Sequence, residues 1–192
     1  MKKFLVSALM LFAASTATFA QHAVGSFSLQ PKVGISIADM TDTQGTTSRI
    51  GFVGGLEGEY QAADIFSLSL GVNYSQEGFK MKNSDNKVKL DYVNVPILAN
   101  VYLTKGLAVK VGVQPGFNVG NSVTINGQTE SSSKKDYDGI KSVALSIPVG
   151  LSYEISNVVL DARYNWGVTK AFDALDSKNS VFQVTIGYKF QL

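Results

Sequence analysis

Charged residues occur at strand-like spacing within three stretches of the 192-residue chain that alternate apolar with polar or small residues. Glu57 and Glu59 are two positions apart, Asp161 and Arg163 are two positions apart, and Lys110 lies in a third stretch. Because side chains two apart on a strand point to the same face, each pair shares a face. Carboxylates beside cations form ion pairs, whereas free carboxylates serve as general acids, general bases or metal ligands. These five residues are therefore the candidate site.

Catalysis by these carboxylates depends on which bases the chain supplies. Nucleophilic chemistry on serine needs a nearby base, most often histidine. The only histidine is His22, which lies near the amino terminus and outside the alternating stretches described below. Asp91, Glu57 and Glu59 remain as carboxylate candidates, but paired acids inside a fold are more often structural. We therefore expect no enzymatic activity.

Motifs for metal ions and cofactors are weak. Residues 136 to 139, Asp-Tyr-Asp-Gly, resemble part of a calcium loop but lack the remaining ligands at the required spacing. The glycines between residues 51 and 58 are followed by no helix, which a phosphate-binding loop requires. The chain has no cysteine, so it has no thiolate metal site and no disulfide. We expect no cofactor and no resident metal.

Eight stretches alternate apolar and polar residues with a period of two, which predicts strands rather than helices. In the last of them Phe182, Val184 and Ile186 alternate with Gln183 and Thr185. The stretches lie around residues 32–37, 52–60, 66–75, 92–101, 107–119, 143–153, 158–168 and 181–192. All four prolines fall in these strands, where we expect bulges or missing ladder bonds.

The connections between the stretches alternate in length. The long ones are rich in polar residues and lie around 39–49, 76–90, 120–141 and 169–180. The short ones lie around 61–65, 103–106 and 155–157. This alternation predicts an up-and-down meander with both termini at the short-turn end.

The composition of the two faces indicates which one meets lipid. The polar set is rich in Gly, Ser and Ala, which suits a narrow interior, whereas the bulky apolar set lacks charge along whole strands. A lipocalin-type barrel with an apolar interior is the alternative. Outward aromatic residues are predicted at both strand ends, as in interfacial belts, although strands favour aromatics in any case. Tyr92 and Tyr102 occupy alternate positions that are predicted to face the barrel interior, so they have what is called inward parity. The sequence predicts an all-β, eight-stranded, antiparallel up-and-down transmembrane β-barrel.

The amino-terminal segment predicts export. Two lysines, an apolar run and small residues before Gln21 form the pattern of a cleaved signal peptide at residues 1–20, too short for a membrane-spanning anchor. Residues 21–192 are then one barrel domain. Without Lys2 and Lys3, the 17 basic residues fall to 15 against 15 acidic ones, so we expect no nucleic-acid partner.

Five segments together resemble an outer-membrane β-barrel family common in Bacteroidota, the porin family or PorT-like proteins. They are GGLEGEY, FSLSLGVNYSQEGFK, YVNVPILANVYL, GVQPGFNVG and LDARYNWGVTKAF. The resemblance covers essentially the whole mature chain and implies the outer membrane of a Gram-negative bacterium. The ending is similar to the signal that the barrel-assembly machinery reads, with the matching residues Thr185, Gly187, Phe190 and Leu192.

Two interpretations of the charged residues remain open. Eight strands enclose little more than their own side chains, and charges buried there would have to pair across the lumen as a network. The alternative is that the five charged residues lie near the barrel mouths and are hydrated. Cations in the second long connection, Lys80, Lys82, Lys87 and Lys89, are either solvated or contact lipopolysaccharide phosphates. We expect an envelope or surface-interaction protein with lipid, lipopolysaccharide and an unidentified envelope or extracellular protein as partners. A passive channel and a PorT-like secretion component are the alternatives.

Overall fold

The computed structural model describes residues 22–40, 46–82, 86–125, 128–132, 141–170 and 178–192. The predicted signal peptide and the calcium-like motif at residues 136–139 lie outside these ranges. Within them, no helix is long and apolar enough to cross a membrane.

Eleven strands account for most of the described chain. They are β1 (Phe27–Met40), β2 (Thr46–Ala63), β3 (Phe66–Met81), β4 (Lys87–Asn94), β5 (Ile97–Thr104), β6 (Leu107–Ile125), β7 (Gln128–Ser132), β8 (Val143–Ile155), β9 (Val158–Lys170), β10 (Lys178–Tyr188) and β11 (Phe190–Gln191). All their pairings are antiparallel.

The strands close into a ring with eight strand positions. β4 and β5 share one position, because both pair with β3 and with β6. β7 and β8 share another beside β6, and β10 and β11 share the position that closes the ring against β1. The predicted fold class, an all-β antiparallel up-and-down barrel, is confirmed.

Connections of two lengths lie at opposite ends of the barrel. At one end, called the turn end, two-residue turns at 64–65, 105–106 and 156–157 join the strands. Gly106 and Ser156 have positive φ values there, as tight turns often require. The opposite end, called the loop end, carries the longer connections.

The long connections are shorter than the sequence predicted. Strand β3 continues to Met81 and β4 begins at Lys87, within the expected 76–90 loop, and β6 continues to Ile125. Ser, Asn and Lys are weak strand formers in isolation, but neighbouring strands supply ladder partners that override this preference. The polar composition of these segments therefore indicates where the apolar outward face of the strands ends, whereas the strands themselves continue.

Each proline lies at an interruption of a ladder. Pro96 separates β4 from β5, and Pro31 faces the break between β10 and β11. Pro148 pairs with Asn165 on one side, while the β6–β8 ladder skips it on the other. Pro115 accepts a hydrogen bond from the Val95 N–H at 2.8 Å through its carbonyl oxygen. The missing proline N–H groups thus fall largely where no ladder bond is made.

The outer wall is apolar and the interior is polar. Exposed outward side chains include Val33, Leu70 and Val111, whereas their inward neighbours Lys32, Ser69 and Lys110 are buried. Outward aromatic residues lie at both ends, and two pairs at the turn end, Phe27–Tyr60 and Tyr188–Phe190, have ring centroids 4.7 Å apart. Tyr92 and Tyr102 are buried inside the barrel. A wall of this kind suits contact with lipid and excludes the lipocalin alternative.

Candidate functional site: a charged lumen

Glycines on neighbouring strands make room for the long charged side chains of the lumen. Glu57 on β2 lies opposite Gly71 on β3, while Gly150 on β8 lies between Lys110 on β6 and Arg163 on β9. A Cβ atom built on Gly150 would lie 3.1 Å from the Arg163 Cα atom. A larger residue at this position would therefore crowd the arginine.

Glu57 is the centre of the middle layer of charges. Its Oε1 atom lies 2.9 Å from the Lys110 Nζ atom, and its Oε2 atom accepts hydrogen bonds from Lys32 and from Arg163 Nη2, the latter at 3.3 Å. The four residues come from four different strands, and at most 4% of any of their side chains is exposed. Because both carboxylate oxygens contact cations, the arrangement suits a structural ion cluster.

Asp161 completes this middle layer. Its Oδ2 atom lies 2.9 Å from Arg163 Nη2 and 3.2 Å from Lys110 Nζ. Lys32, Lys110 and Arg163 therefore supply three positive charges against two negative charges from Glu57 and Asp161.

A second layer lies towards the turn end, around Lys189. Its Nζ atom lies 3.0 Å from Glu59 Oε2 and 2.9 Å from Glu154 Oε2. Glu59 also accepts hydrogen bonds from Ser67 Oγ at 2.5 Å and from the Tyr102 hydroxyl. Two carboxylates against one lysine leave one negative charge, which offsets the positive excess of the middle layer when His22 is neutral.

His22 is placed differently from the sequence expectation. It was expected outside the barrel, but its Nε2 atom lies 3.1 Å from Glu154 Oε1 and its side chain is 11% exposed. Gln191 Nε2 lies 2.6 Å from its Nδ1 atom. Residues 22–26 fold back towards the turn end, where Gly25 donates a backbone hydrogen bond to Gln61 at 2.8 Å. The histidine therefore covers the carboxylate of Glu154.

The structure brings four of the five predicted residues into one layer: Glu57, Lys110, Asp161 and Arg163. Glu59 lies in the second layer, where its ion-pair partner is Lys189. Lys32, Lys189 and Glu154 were not among the five predicted residues. Lys32 and Lys189 nevertheless belong to the polar sets of the first and last alternating stretches, and Glu154 directly follows the sixth. No comparable signal marked His22.

The residues of the proposed assembly signal lie on the strands that close the ring. Thr185 faces inward and is 5% exposed, whereas Phe190 and Leu192 are exposed on the outer wall. Gly187 pairs with Lys32 of β1, Phe190 pairs with Leu29, and the Leu192 N–H donates to the Phe27 carbonyl at 2.9 Å. The carboxyl-terminal strand is therefore paired to its last residues.

Among the described residues, no group of three or more His, Cys, Asp or Glu side chains is arranged to hold a metal ion. The third carboxylate candidate for catalysis, Asp91, pairs with Gly120 on β6 and is half-buried outside the two charged layers.

A closed antiparallel barrel with an apolar wall and an ion-paired lumen has the architecture of outer-membrane proteins. The sequence model of the outer membrane protein beta-barrel domain family matches residues 19–173. The chain therefore belongs to that family.

Solved structures show the same fold. Ail, the attachment invasion locus protein of Yersinia pestis, superposes with a TM-score of 0.55 at 19% identity, covering 88% of this chain and 100% of that chain. Neisserial surface protein A superposes with a TM-score of 0.54 at 19% identity, covering 86% of this chain and 97% of that chain. None of the curated proteins compared with the chain matches it.

Proposed function

We propose that this protein is a non-catalytic outer-membrane barrel with a closed lumen that acts through its surface at the loop end. The observation that carries this proposal is the Glu57 cluster, in which cations from β1, β6 and β9 meet one carboxylate from β2. An eight-stranded barrel has an interior just wide enough for side chains, so a cluster that spans it blocks passage.

The network also argues against a mobile gate. Removing one partner from a buried ion pair costs about 3–5 kcal/mol, because the remaining charge is left without compensation. The ion pairs of the two layers hold the lumen residues in place for the same reason, and the formal charges of their Lys, Arg, Glu and Asp residues sum to zero. Ions would have to separate these pairs to cross.

The loop end faces the cell exterior in this proposal, and the turn end faces the periplasm. Outer-membrane barrels have short periplasmic turns and longer external loops, which matches the two ends of this ring. Export through a signal peptide at residues 1–20, and insertion by the barrel-assembly machinery through the closing strand, belong to the same proposal. An origin in a Gram-negative bacterium is also part of this proposal.

Lysines on the β3–β4 ribbon are the proposed contact for lipopolysaccharide. Lys80 lies directly opposite Lys87, and Lys89 lies two residues further along β4. Leu90, next to Lys89, is fully buried inside, so Lys87 and Lys89 lie on the outer side. Like charges directly opposite each other on a ladder destabilise the pair, and a phosphate between them would relieve this repulsion.

A related barrel offers a parallel for this contact. Ail of Yersinia pestis was crystallised with the heparin analogue sucrose octasulfate, which is a polyanion. At that level of identity the likeness concerns the fold, so the proposal for this chain depends on its own lysines. Membership of the Bacteroidota-type, PorT-like group, and a role in a secretion machine, rest on the sequence resemblance alone.

Conductance of the purified protein in planar lipid bilayers tests the closed lumen. We expect little or no steady current from the unmodified protein across a range of voltages. Large, stable channels would contradict the proposal and would support the alternative of a passive channel for small solutes.

A further inference from the structure

The loop-end half of the lumen differs in chemistry from the two charged layers. Its inward side chains are mainly carboxamides, and five of them are at most 4% exposed: Asn73, Asn94, Gln114, Asn118 and Asn165. Apolar side chains lie inside the barrel nearby, among them Val53, Leu90 and Val181, each at most 2% exposed. Apart from Glu77 and Arg49, the buried polar side chains of this half therefore offer neutral oxygen and nitrogen atoms in a poorly hydrated space.

One carboxylate, Glu77, lies in this neutral region and is 5% exposed. Neutral groups donate to it: Ser75 Oγ at 2.7 Å and Asn94 Nδ2 at 3.4 Å to Oε1, and Asn179 Nδ2 at 3.0 Å to Oε2. No cationic side chain of the described residues forms an ion pair with it. Arg49 donates to the backbone carbonyl of Glu77 instead.

A small cavity adjoins this carboxylate. Its volume is about 20 Å³, and its wall includes Glu77, Gln114 and Asn165. Gln114 Oε1 and both amide atoms of Asn165 are buried without a hydrogen-bond partner in the described chain. Because both atoms of Asn165 are unpartnered, exchanging the amide oxygen and nitrogen would leave the same result. A cavity of this size holds one water molecule or one small ion.

We propose that this cavity binds one dehydrated alkali cation, with Glu77 as its charged ligand and the carboxamide oxygens of Gln114 and Asn165 as neutral ligands. A buried carboxylate whose oxygens contact no cationic side chain is unfavourable, and a bound cation removes that cost. Carbonyl oxygens replace the hydration shell of alkali ions in other membrane proteins. One carboxylate balances one positive charge, so the site matches a monovalent ion better than a divalent one.

The bound cation would connect three strand positions. Glu77 belongs to β3, Gln114 to β6 and Asn165 to β9, and these strands are not adjacent to one another in the ring. The ion would therefore tie together the loop end of the barrel, as the Glu57 cluster does in the middle. The stability of the fold should then depend on the identity of the cation and not only on ionic strength.

Urea unfolding of the whole mature protein in detergent tests this site, with emission of Trp166, the single tryptophan, as the signal. Na⁺ is compared with choline at equal ionic strength, since choline is too large for the cavity. A ligand at 100 times its Kd lowers the unfolding equilibrium constant about 100-fold, so saturating Na⁺ should give a shift of this order. Identical unfolding curves in Na⁺ and choline would overturn the proposal.

Variants separate a site-specific effect from general screening. Glu77→Gln should abolish the difference between Na⁺ and choline, whereas Asp64→Asn, at an exposed turn carboxylate, should keep it. Asn165→Asp adds a second carboxylate and should shift the preference towards Ca²⁺. A Na⁺ effect that persists in Glu77→Gln, or an unmodified protein that responds to Ca²⁺ and not to Na⁺, would contradict the assignment.

Discussion

Arg163 on β9 donates across the lumen to Glu57 on β2 at 3.3 Å, while the same Nη2 atom lies 2.9 Å from Asp161. One nitrogen thus joins two carboxylates from strands that are not neighbours in the ring. This nitrogen therefore links opposite sides of the barrel interior.

Replacing Arg163 by alanine should both destabilise the barrel and open it. Glu57 and Asp161 would lose a shared cation, so we expect a loss of about 3–5 kcal/mol in the free energy of unfolding. Removal of the side chain should also permit occasional ion leakage in planar bilayers. The control is Lys105→Ala, at an exposed turn residue. Equal stability of the two variants would argue that the charges are hydrated and independent.

Two glycines of β2 and β8 make a matched pair for testing the packing of the charged layer. A Cβ atom on Gly150 would lie 2.7 Å from the Ala162 carbonyl oxygen, which is a backbone atom and cannot move aside. We expect Gly150→Ala to cost about 1–3 kcal/mol in the free energy of unfolding. A Cβ on Gly58 would have its nearest neighbour at 3.8 Å, so Gly58→Ala should stay within about 0.5 kcal/mol of the parent. The reverse order would contradict the proposed crowding.

Deleting residues 190–192 should prevent closure of the ring. The deletion removes the pairing of Phe190 with Leu29 and the backbone bond from Leu192 to Phe27. We expect unfolded protein in the periplasm and no heat-modifiable barrel in outer-membrane fractions. Phe190→Tyr, which keeps an aromatic residue on the outer wall, is the control and should assemble. Normal assembly of the deletion would show that closure does not need this segment.

The orientation of the barrel can be measured by cysteine labelling, because the chain has no cysteine of its own. Lys82 and Lys105 are both exposed, at the loop end and the turn end respectively. A membrane-impermeant maleimide should label Lys82→Cys on intact cells and should label Lys105→Cys only after the outer membrane is broken. The opposite pattern would invert the proposed topology.

The lysines of the β3–β4 ribbon should control binding to phosphorylated lipid. A triple variant with Lys80, Lys87 and Lys89 changed to Gln should bind lipopolysaccharide vesicles more weakly than the parent, with a smaller salt dependence. Vesicles with dephosphorylated lipid A should bind the parent and the triple variant alike. Lys105→Gln is the control for a general loss of charge. Unchanged binding by the triple variant would mean that these lysines are only solvated.

Alternation in the sequence was sufficient to predict the faces of the strands. Glu57, Tyr92 and Tyr102 were assigned to the interior from parity, and all three are buried there. This is possible because the side-chain period of a strand is two whatever its neighbours are. The same local rule predicted the eight strand positions, whereas the alternation of long and short connections predicted the up-and-down order.

Only the tertiary structure decided which charges meet. Parity assigns a side chain to a face but not to a height along the barrel axis, and height depends on the stagger between strands that closure imposes. Glu57 and Glu59 are two residues apart, yet they pair with different cations in separate layers. Lys32 meets Glu57 because β1 pairs with β2 in a register that places Glu57 opposite Gln30, two residues before Lys32. His22 reaches Glu154, 132 positions away in the chain, because the amino-terminal segment folds back at the turn end. The contacts of Glu57 with Lys110 and Arg163 depend on ring closure, a property of all eight strand positions together, so no local stretch of sequence contained them.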